Sequence, residues 1–250
     1  MSTADLDAAR AVIGATSTPI HDLGSTIYLS PDTFAWAAET GWTNPFAFYF
    51  AGRGAMLGDV SADVVYAAFG WFAPASVKTM YEEGVAVAGA AAVAARMSEV
   101  HALWGRKYLS DVKGLDDIVE VCEALVDGLE GSGFPLFVGW RGAPRAKGAA
   151  GRAAQLVQIL REWRGAIHLV STTAAGLSPR DAILTNEGES QAKFFGWTEP
   201  FPDCSDLKHK HIEAEQMTNE LSALALSQTL SVDRFQAFED GIAALRAAMP

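Results

Sequence analysis

The sequence has 250 residues, half of them hydrophobic and 20% charged, so it can bury a substantial core and lies far from the composition of disordered proteins. A formal net charge of −11 at pH 7 disfavours nucleic acid as a partner, because such a surface repels phosphate unless its basic residues gather on one face. The two cysteines have no CxxC or Cys/His spacing, which excludes a zinc motif and fits a reducing cytoplasm.

Neither the start of the chain nor its most apolar stretch has the pattern of a membrane or secretory segment. Asp5 and Asp7 lie near the amino terminus, and no basic residue precedes an apolar run, so we expect no secretory signal there. Residues 85–95 are the most apolar stretch and reach only about half the length needed to cross a bilayer. The sequence therefore predicts a soluble, cytoplasmic protein that does not bind a membrane.

Apolar residues recur at helical spacing along most of the chain, and capping residues, prolines and glycines mark where helices begin and end. The predicted helices cover 3–27 (broken or kinked at Pro19), 31–41, 45–58, 64–72, 74–108 (with bends at Gly84 and Gly89), 116–129, 153–175, 179–188, 206–228 and 232–248. No run alternates as a strand would.

This pattern predicts an all-α fold, a multi-helix orthogonal bundle of around ten helices with little or no sheet. We expect residues 1–250 to form a single helical domain, with 206–250 as a C-terminal helical extension packed on it. Residues 138–152 mix glycines with basic residues and are predicted to form a loop. That loop is either a solvated linker or an anion site before the next helix.

Several ionisable residues lie inside the apolar helix predicted over 153–175. Arg161, Arg164 and His168 have i, i+3, i+7 spacing and can face one way, whereas Glu162 points elsewhere and can anchor a neighbouring helix. Buried charges must pair, reach solvent or line a polar part of a cavity. The group is therefore either a structural ion-pair network or a site where His168 and an arginine hold an anionic or carbonyl group.

Arg53 and the aromatic residues around it form a second candidate region. Arg53 lies between two glycines, which allow a helix or a ligand to approach closely, so it is either a paired packing residue or a ligand contact. Aromatic residues, Tyr49 and Trp71 among them, are frequent between residues 36 and 72. They form either a solid core or the wall of a cavity, where their polar atoms would find partners.

Short motifs in the same order over residues 17–224 resemble the SalK-like helix-turn-helix family. The run YFAGRGAMLG from Tyr49, followed by VS, resembles its motif Y-F-A-x-R-[AG]-A-x-L-G-x-V-S. The run LREWRGAIH, which ends at His168, resembles its L-R-E-H-R-G-D-G-H run but keeps only one histidine. The pair GW ending at Trp197 and the run E-x-x-T-N-x-L from Glu215 resemble its G-W and E-x-x-T-D-x-L elements.

The resemblance implies a fold more than a reaction, because the family is largely of unknown function, with some members near natural-product biosynthesis genes. Its members carry a winged-helix-like segment after the G-W element, which gives the family its name. Here only residues 198–206 separate Trp197 from the terminal helices, whereas a recognition helix, turn and wing need about 50 residues. The resemblance therefore implies a member without the winged-helix segment.

These features predict a protein that binds a small organic ligand in an aromatic-lined pocket, with an enzymatic role in secondary metabolism left open. The predicted ligand contacts are Tyr49, Arg53, Trp71, Arg161, Arg164 and Trp197. His168 is the predicted catalytic residue, as a general acid or base. Two alternatives stay open: a non-catalytic regulator or interaction protein derived from a DNA-binding family, and a haem or metal protein that uses His168 or His21. The sequence identifies no cofactor, and it leaves a homo-oligomer open.

Overall fold

The computed structural model describes residues 2–250, and every regular element in that part of the chain is a helix. The α-helices are α1 (Thr3–Leu29), α2 (Pro31–Ala38), α3 (Pro45–Gly54), α4 (Ala62–Phe69), α5 (Pro74–Ala88), α6 (Ala90–Tyr108), α7 (Leu115–Gly128), α8 (Pro135–Gly142), α9 (Ala149–Ala174), α10 (Pro179–Asn186), α11 (Glu189–Phe194), α12 (Lys208–Thr229) and α13 (Phe235–Ala247). Short 3-10 helices cover Ala55–Leu57, Ser205–Leu207 and Val232–Arg234. The predicted all-α, multi-helix bundle is confirmed, with more helices than the ten expected.

Three helices begin with the same local signal, a capping residue followed by proline. The side chains of Ser30, Asn44 and Ser178 each accept a hydrogen bond from a first-turn amide, and a proline follows each of them. Proline fits this position because its missing amide would have no partner there in any case. The start sites predicted for α2, α3 and α10 are therefore confirmed.

The predicted interruptions at Pro19 and Gly84 are not ends of helices in the structure, whereas the one at Gly89 is. Of the break or kink expected at Pro19, the break is wrong, because α1 continues through that residue and buries side chains on both sides of it against α9, α12 and α13. The long helix over 74–108 instead divides at Gly89, whose φ of 89° favours glycine. Gly84 lies inside α5, where a Cβ atom would approach the Ala47 carbonyl oxygen to 2.3 Å, so it permits close packing on α3.

The loop predicted over 138–152 is shorter than expected. Its first part belongs to α8, where burial of Phe137 and Trp140 offsets the low helix propensity of the glycines, and α9 begins at Ala149. In the remaining loop, Arg145 contacts Glu123 at 3.3 Å and Asp127 at 2.5 Å. The basic loop is thus largely neutralised by α7.

Helix α9 lies at the centre of the bundle. It buries residues all round its axis, and α1, α6, α7, α8 and α12 pack against it. Helices α12 and α13, which include most of the predicted extension, pack on α1, α7 and α9. Over residues 2–250, none of the helices combines the length and the apolar character that a bilayer span requires. The second half of α9, from Arg161 to His168, faces α1 and α12, and the candidate site lies there.

Candidate functional site

A cavity of about 390 Å³ lies beside the second half of α9, with walls from α1, α3, α10 and α12. Its volume falls within the usual range of small-molecule pockets. Six of the seven site residues predicted from the sequence line it: Tyr49, Arg53, Trp71, Arg161, Arg164 and His168. Trp197 lies outside this lining. Its indole Nε1 donates a hydrogen bond to the Trp71 carbonyl oxygen at 2.9 Å, so it supports the backbone that carries Trp71.

The deepest part of the cavity wall is a buried ion pair between α3 and α9. The Arg53 guanidinium donates from Nε and Nη2 to the two carboxylate oxygens of Glu162, at 2.9 and 2.8 Å. Both side chains are almost fully buried, and the guanidinium lies over the Phe69 ring. Arg53 is therefore paired between helices, with Glu162 as its anchor, and it also lines the cavity, so its predicted contact with a ligand stays a prediction.

Two further side chains complete this pair. Tyr28 and Gln158 donate to Glu162 Oε1 at 3.2 and 2.7 Å, and Gln158 also donates to the Tyr28 hydroxyl at 2.9 Å. Burial alone would raise the pKa of Glu162, but the charges of Arg53 and Arg161 outweigh it and hold that pKa below its ordinary value. Glu162 is therefore ionised at neutral pH.

Arg161 is adjacent in sequence to Glu162 but much less completely paired. Its Nη1 lies 3.3 Å from Glu162 Oε1, an oxygen that already accepts from three other groups. Its Nε is buried and has no hydrogen-bond partner within residues 2–250. Gly24 on α1 makes room for this side chain, since a Cβ there would lie 2.3 Å from Arg161 Cδ. Arg161 therefore lines the cavity with a guanidinium that has more donors than hydrogen-bond partners within residues 2–250.

Arg164 and His168 meet Glu215 of α12 on the other side of the cavity. Arg164 Nη2 donates to Glu215 Oε2 at 3.0 Å, and His168 Nε2 lies 3.4 Å from Oε1 of the same carboxylate. The His168 ring stacks on Trp71, with the ring centroids 5.2 Å apart. The Glu215 carboxylate thereby compensates most of the charge of Arg164. Around the cavity, three arginines (Arg53, Arg161 and Arg164) are paired with two carboxylates, those of Glu162 and Glu215.

The hydrogen bonds of His168 define which ring nitrogen carries the proton. The Thr218 hydroxyl donates to the Ala214 carbonyl at 2.7 Å, so its oxygen accepts from His168 Nδ1, 3.0 Å away. Burial lowers the pKa of His168; Glu215 opposes this effect, and Arg164 and His211 reinforce it. In this arrangement Nε2 of the neutral ring faces Glu215 Oε1 and is unprotonated, and the lowered pKa means that it takes up a proton only at a pH below the ordinary range of histidine.

Sequence reasoning missed several of these partners. Glu215 and Thr218 have i, i+3 spacing in the E-x-x-T-N-x-L run, so the sequence did contain a signal that they share a helix face. Tyr28 and Gln158 gave no such signal, because they come together across 130 residues.

A metal centre that uses His168 or His21 would need at least three metal-ligating side chains close together. His21 does line the cavity, and burial lowers its pKa. Across the described residues 2–250, however, no three histidine, cysteine, aspartate or glutamate side chains come close enough to hold a metal ion. His168 and His21 share a cavity but lack the further ligands that a metal centre would require.

Comparison with known proteins gives a family. No curated protein and no solved structure matches the sequence significantly. A helix-turn-helix family matches residues 13–248, a range that begins within α1 and includes all the other helices. Since this match extends over well more than half of the sequence, the chain belongs to that helix-turn-helix family.

Proposed function

We propose that this protein binds a small organic acid in the cavity beside α9. The observation that carries the proposal is the incomplete pairing of Arg161, whose buried Nε has no partner in residues 2–250 and whose Nη1 contacts an oxygen already shared by other donors. Three arginines line the cavity beside two carboxylates, and the third acidic residue, Glu187, lies exposed at the rim. An anionic ligand group would complete this charge balance.

The rest of the cavity wall suits an organic body. Trp71, Phe72, Ile20, Ile183 and Phe195 contribute apolar surface around the charged groups. Small-molecule sites commonly combine such a wall with a few convergent polar groups. We therefore expect a ligand that carries an aromatic or other apolar body on its acid group.

His168 gives this site the means for chemistry as well as binding. Its Nε2 is unprotonated in the neutral ring, and Trp71 and Thr218 hold the ring in place. A bound acid beside it could exchange a proton with that nitrogen, so His168 is our proposed general acid or base. We place the protein in the cytoplasm, which agrees with two free cysteines, both of them buried.

The proposal is tested by calorimetric titration of the purified protein with 3-phenylpropionate and with its neutral amide, 3-phenylpropanamide. The two compounds have nearly the same shape and differ in charge. We expect the acid to bind at least about tenfold more tightly, because a hydrogen bond to a charged group contributes about 1.5–3 kcal/mol. Equal affinities for the two compounds, or no binding of either at millimolar concentration, would overturn the proposal.

A non-catalytic regulator or interaction protein derived from a DNA-binding family is the second candidate, because the chain belongs to a helix-turn-helix family. Within that family we propose a SalK-like member that lacks the winged-helix segment, because only residues 198–206 follow Trp197 before the terminal helices.

The net charge of −11 and the pairing of Arg145 with α7 argue against binding to DNA. Fluorescence anisotropy with labelled duplex DNA at low salt should show no binding. Salt-sensitive binding would favour the regulator.

A further inference from the structure

A second cavity of about 220 Å³ adjoins the first. The two cavities share six lining residues: His21, Tyr49, Phe72, Arg161, Glu187 and Phe195. Arg161 therefore lies at the junction, where its guanidinium can be reached from either side. A ligand held at Arg161 would have space on both sides of its acid group.

The two cavities differ sharply in the chemistry of their own walls. The residues found only around the larger one include Arg53, Glu162, Arg164, His168 and Glu215. Those found only around the smaller one are uncharged: Ser25, Tyr28, Leu29, Phe46, Phe50, Gln191 and Phe194. The Tyr28 hydroxyl is bonded to Glu162 and Gln158, so Tyr28 adds mainly apolar ring surface there.

The outer edge of the smaller cavity also contains apolar surface that is not covered. Phe46 is 42% exposed, Leu29 45% and Phe194 54%, and the rings of Phe46 and Phe194 contact each other edge to face. Single exposed apolar residues are ordinary, but three around one cavity form a patch that a bound group would cover.

We infer that the ligand is an amphipathic acid, with its acid group at Arg161 and an apolar arm in the smaller cavity. This inference rests on the proposed function and adds the class of ligand. An arm that enters this cavity moves from water to phenylalanine rings and a leucine side chain. Each methylene so buried should tighten binding up to about fourfold.

The test compares a short acid and a long acid, 3-phenylpropionate and 6-phenylhexanoate, by calorimetric titration of the full chain. We expect the long acid to bind at least about tenfold more tightly, because three further methylenes are buried. The neutral 6-phenylhexanamide should show much weaker binding. A long acid that binds no better than the short one would overturn the inference.

Two serines on α1 provide a matched pair of variants. Ser17 and Ser25 are both half-buried, but Ser17 lines only the larger cavity and Ser25 only the smaller. Leucine is a better helix former than serine, so neither Ser17→Leu nor Ser25→Leu should weaken the helix. Ser25→Leu should cancel the advantage of the long acid and leave the affinity for the short acid within about twofold, whereas Ser17→Leu should weaken both.

The outcomes separate the two claims. If the short acid binds and Ser25→Leu leaves the advantage of the long acid intact, the amphipathic ligand is wrong and the acid site stands. If neither acid binds the wild type, the proposed function fails first. Should Ser25→Leu unfold, Ser25→Met fills the same space with a more adaptable side chain and gives the same test.

Discussion

Helix α9 carries two groups of charged residues that lie side by side but differ in their partners. Glu162 is 2% exposed and accepts two hydrogen bonds from Arg53, one each from Tyr28 and Gln158, and a longer one from Arg161. Arg161, one residue earlier, is 18% exposed and keeps a buried nitrogen unpaired. Both belong to the wall of the same cavity. On our proposal, the balance of partners, more than residue type or burial, separates the group that holds the fold from the group that a ligand would contact.

The largest effect should come from breaking the buried pair. Glu162→Gln leaves the Arg53 guanidinium buried without a counter-charge, so we expect the free energy of unfolding in urea to fall by about 3–5 kcal/mol. Glu215→Gln is the matched variant on the ligand side. Its carboxylate is 36% exposed, so its loss should cost less than about 1 kcal/mol. Equal losses for the two variants would contradict the distinction between the two groups.

Acid should also lower the stability of the folded protein, because His101 is buried. Its side chain is fully buried, and burial lowers its pKa to about 4. Below pH 6.5 the unfolded chain binds a proton that the folded chain does not, so stability falls as the pH drops towards 4. We expect about 2 kcal/mol of this loss between pH 7.5 and 5. His101→Phe should flatten the urea-derived stability profile by that amount. An unchanged slope in the variant would show that His101 is not its source.

On the ligand side, the pH dependence should appear in binding. The pKa of His168 lies below its ordinary value in the free protein, and a bound anion would raise it by favouring the charged ring. Affinity for 3-phenylpropionate should therefore increase as the pH falls from 7.5 to 5.5, by at most about fivefold for an interaction of about 1 kcal/mol. Titrations of His168→Gln should show a smaller increase, with His21 as the remaining source. A wild-type affinity that weakens on acidification would count against the anion site.

The smallest effect should come from Trp197, which supports the site from outside. Trp197→Phe removes the hydrogen bond to the Trp71 carbonyl, so we expect a stability loss of about 1 kcal/mol in urea unfolding. Affinity for the acid should change less than in Trp71→Ala, because Trp71 itself lines the cavity. A larger loss of affinity in Trp197→Phe would mean that Trp197 contacts the ligand, as the sequence first suggested.

Much of the fold could be predicted from local signals. The caps before α2, α3 and α10 identified their starts, and apolar spacing identified most helices. Helix α8 was missed because its glycines have low helix propensity, and burial of Phe137 and Trp140 is visible only in three dimensions. Continuity through Pro19 likewise depends on packing against other helices.

Most residues of the candidate site were predictable from the sequence, but the contacts between them were not. The i, i+3, i+7 spacing placed Arg161, Arg164 and His168 on one side of α9, and all three line the cavity. Spacing could not show that Glu162 pairs with Arg53, since 109 residues separate them. That pairing leaves Arg161 with donors that Glu162 cannot satisfy, and Arg164 Nε is likewise buried without a partner in residues 2–250, so the sequence could suggest a charged site without showing which cations are incompletely paired.

The most direct test of the account measures stability and binding together in Arg161→Met. Methionine fills similar space without a charge, and it removes a buried nitrogen that has no partner within residues 2–250. We predict that the free energy of unfolding in urea falls by less than about 1 kcal/mol, because only one long contact with Glu162 is lost, while affinity for 3-phenylpropionate falls at least about tenfold. A stability loss of several kcal/mol with unchanged affinity would contradict the account, because Arg161 would then belong to the structural group with Arg53 and Glu162.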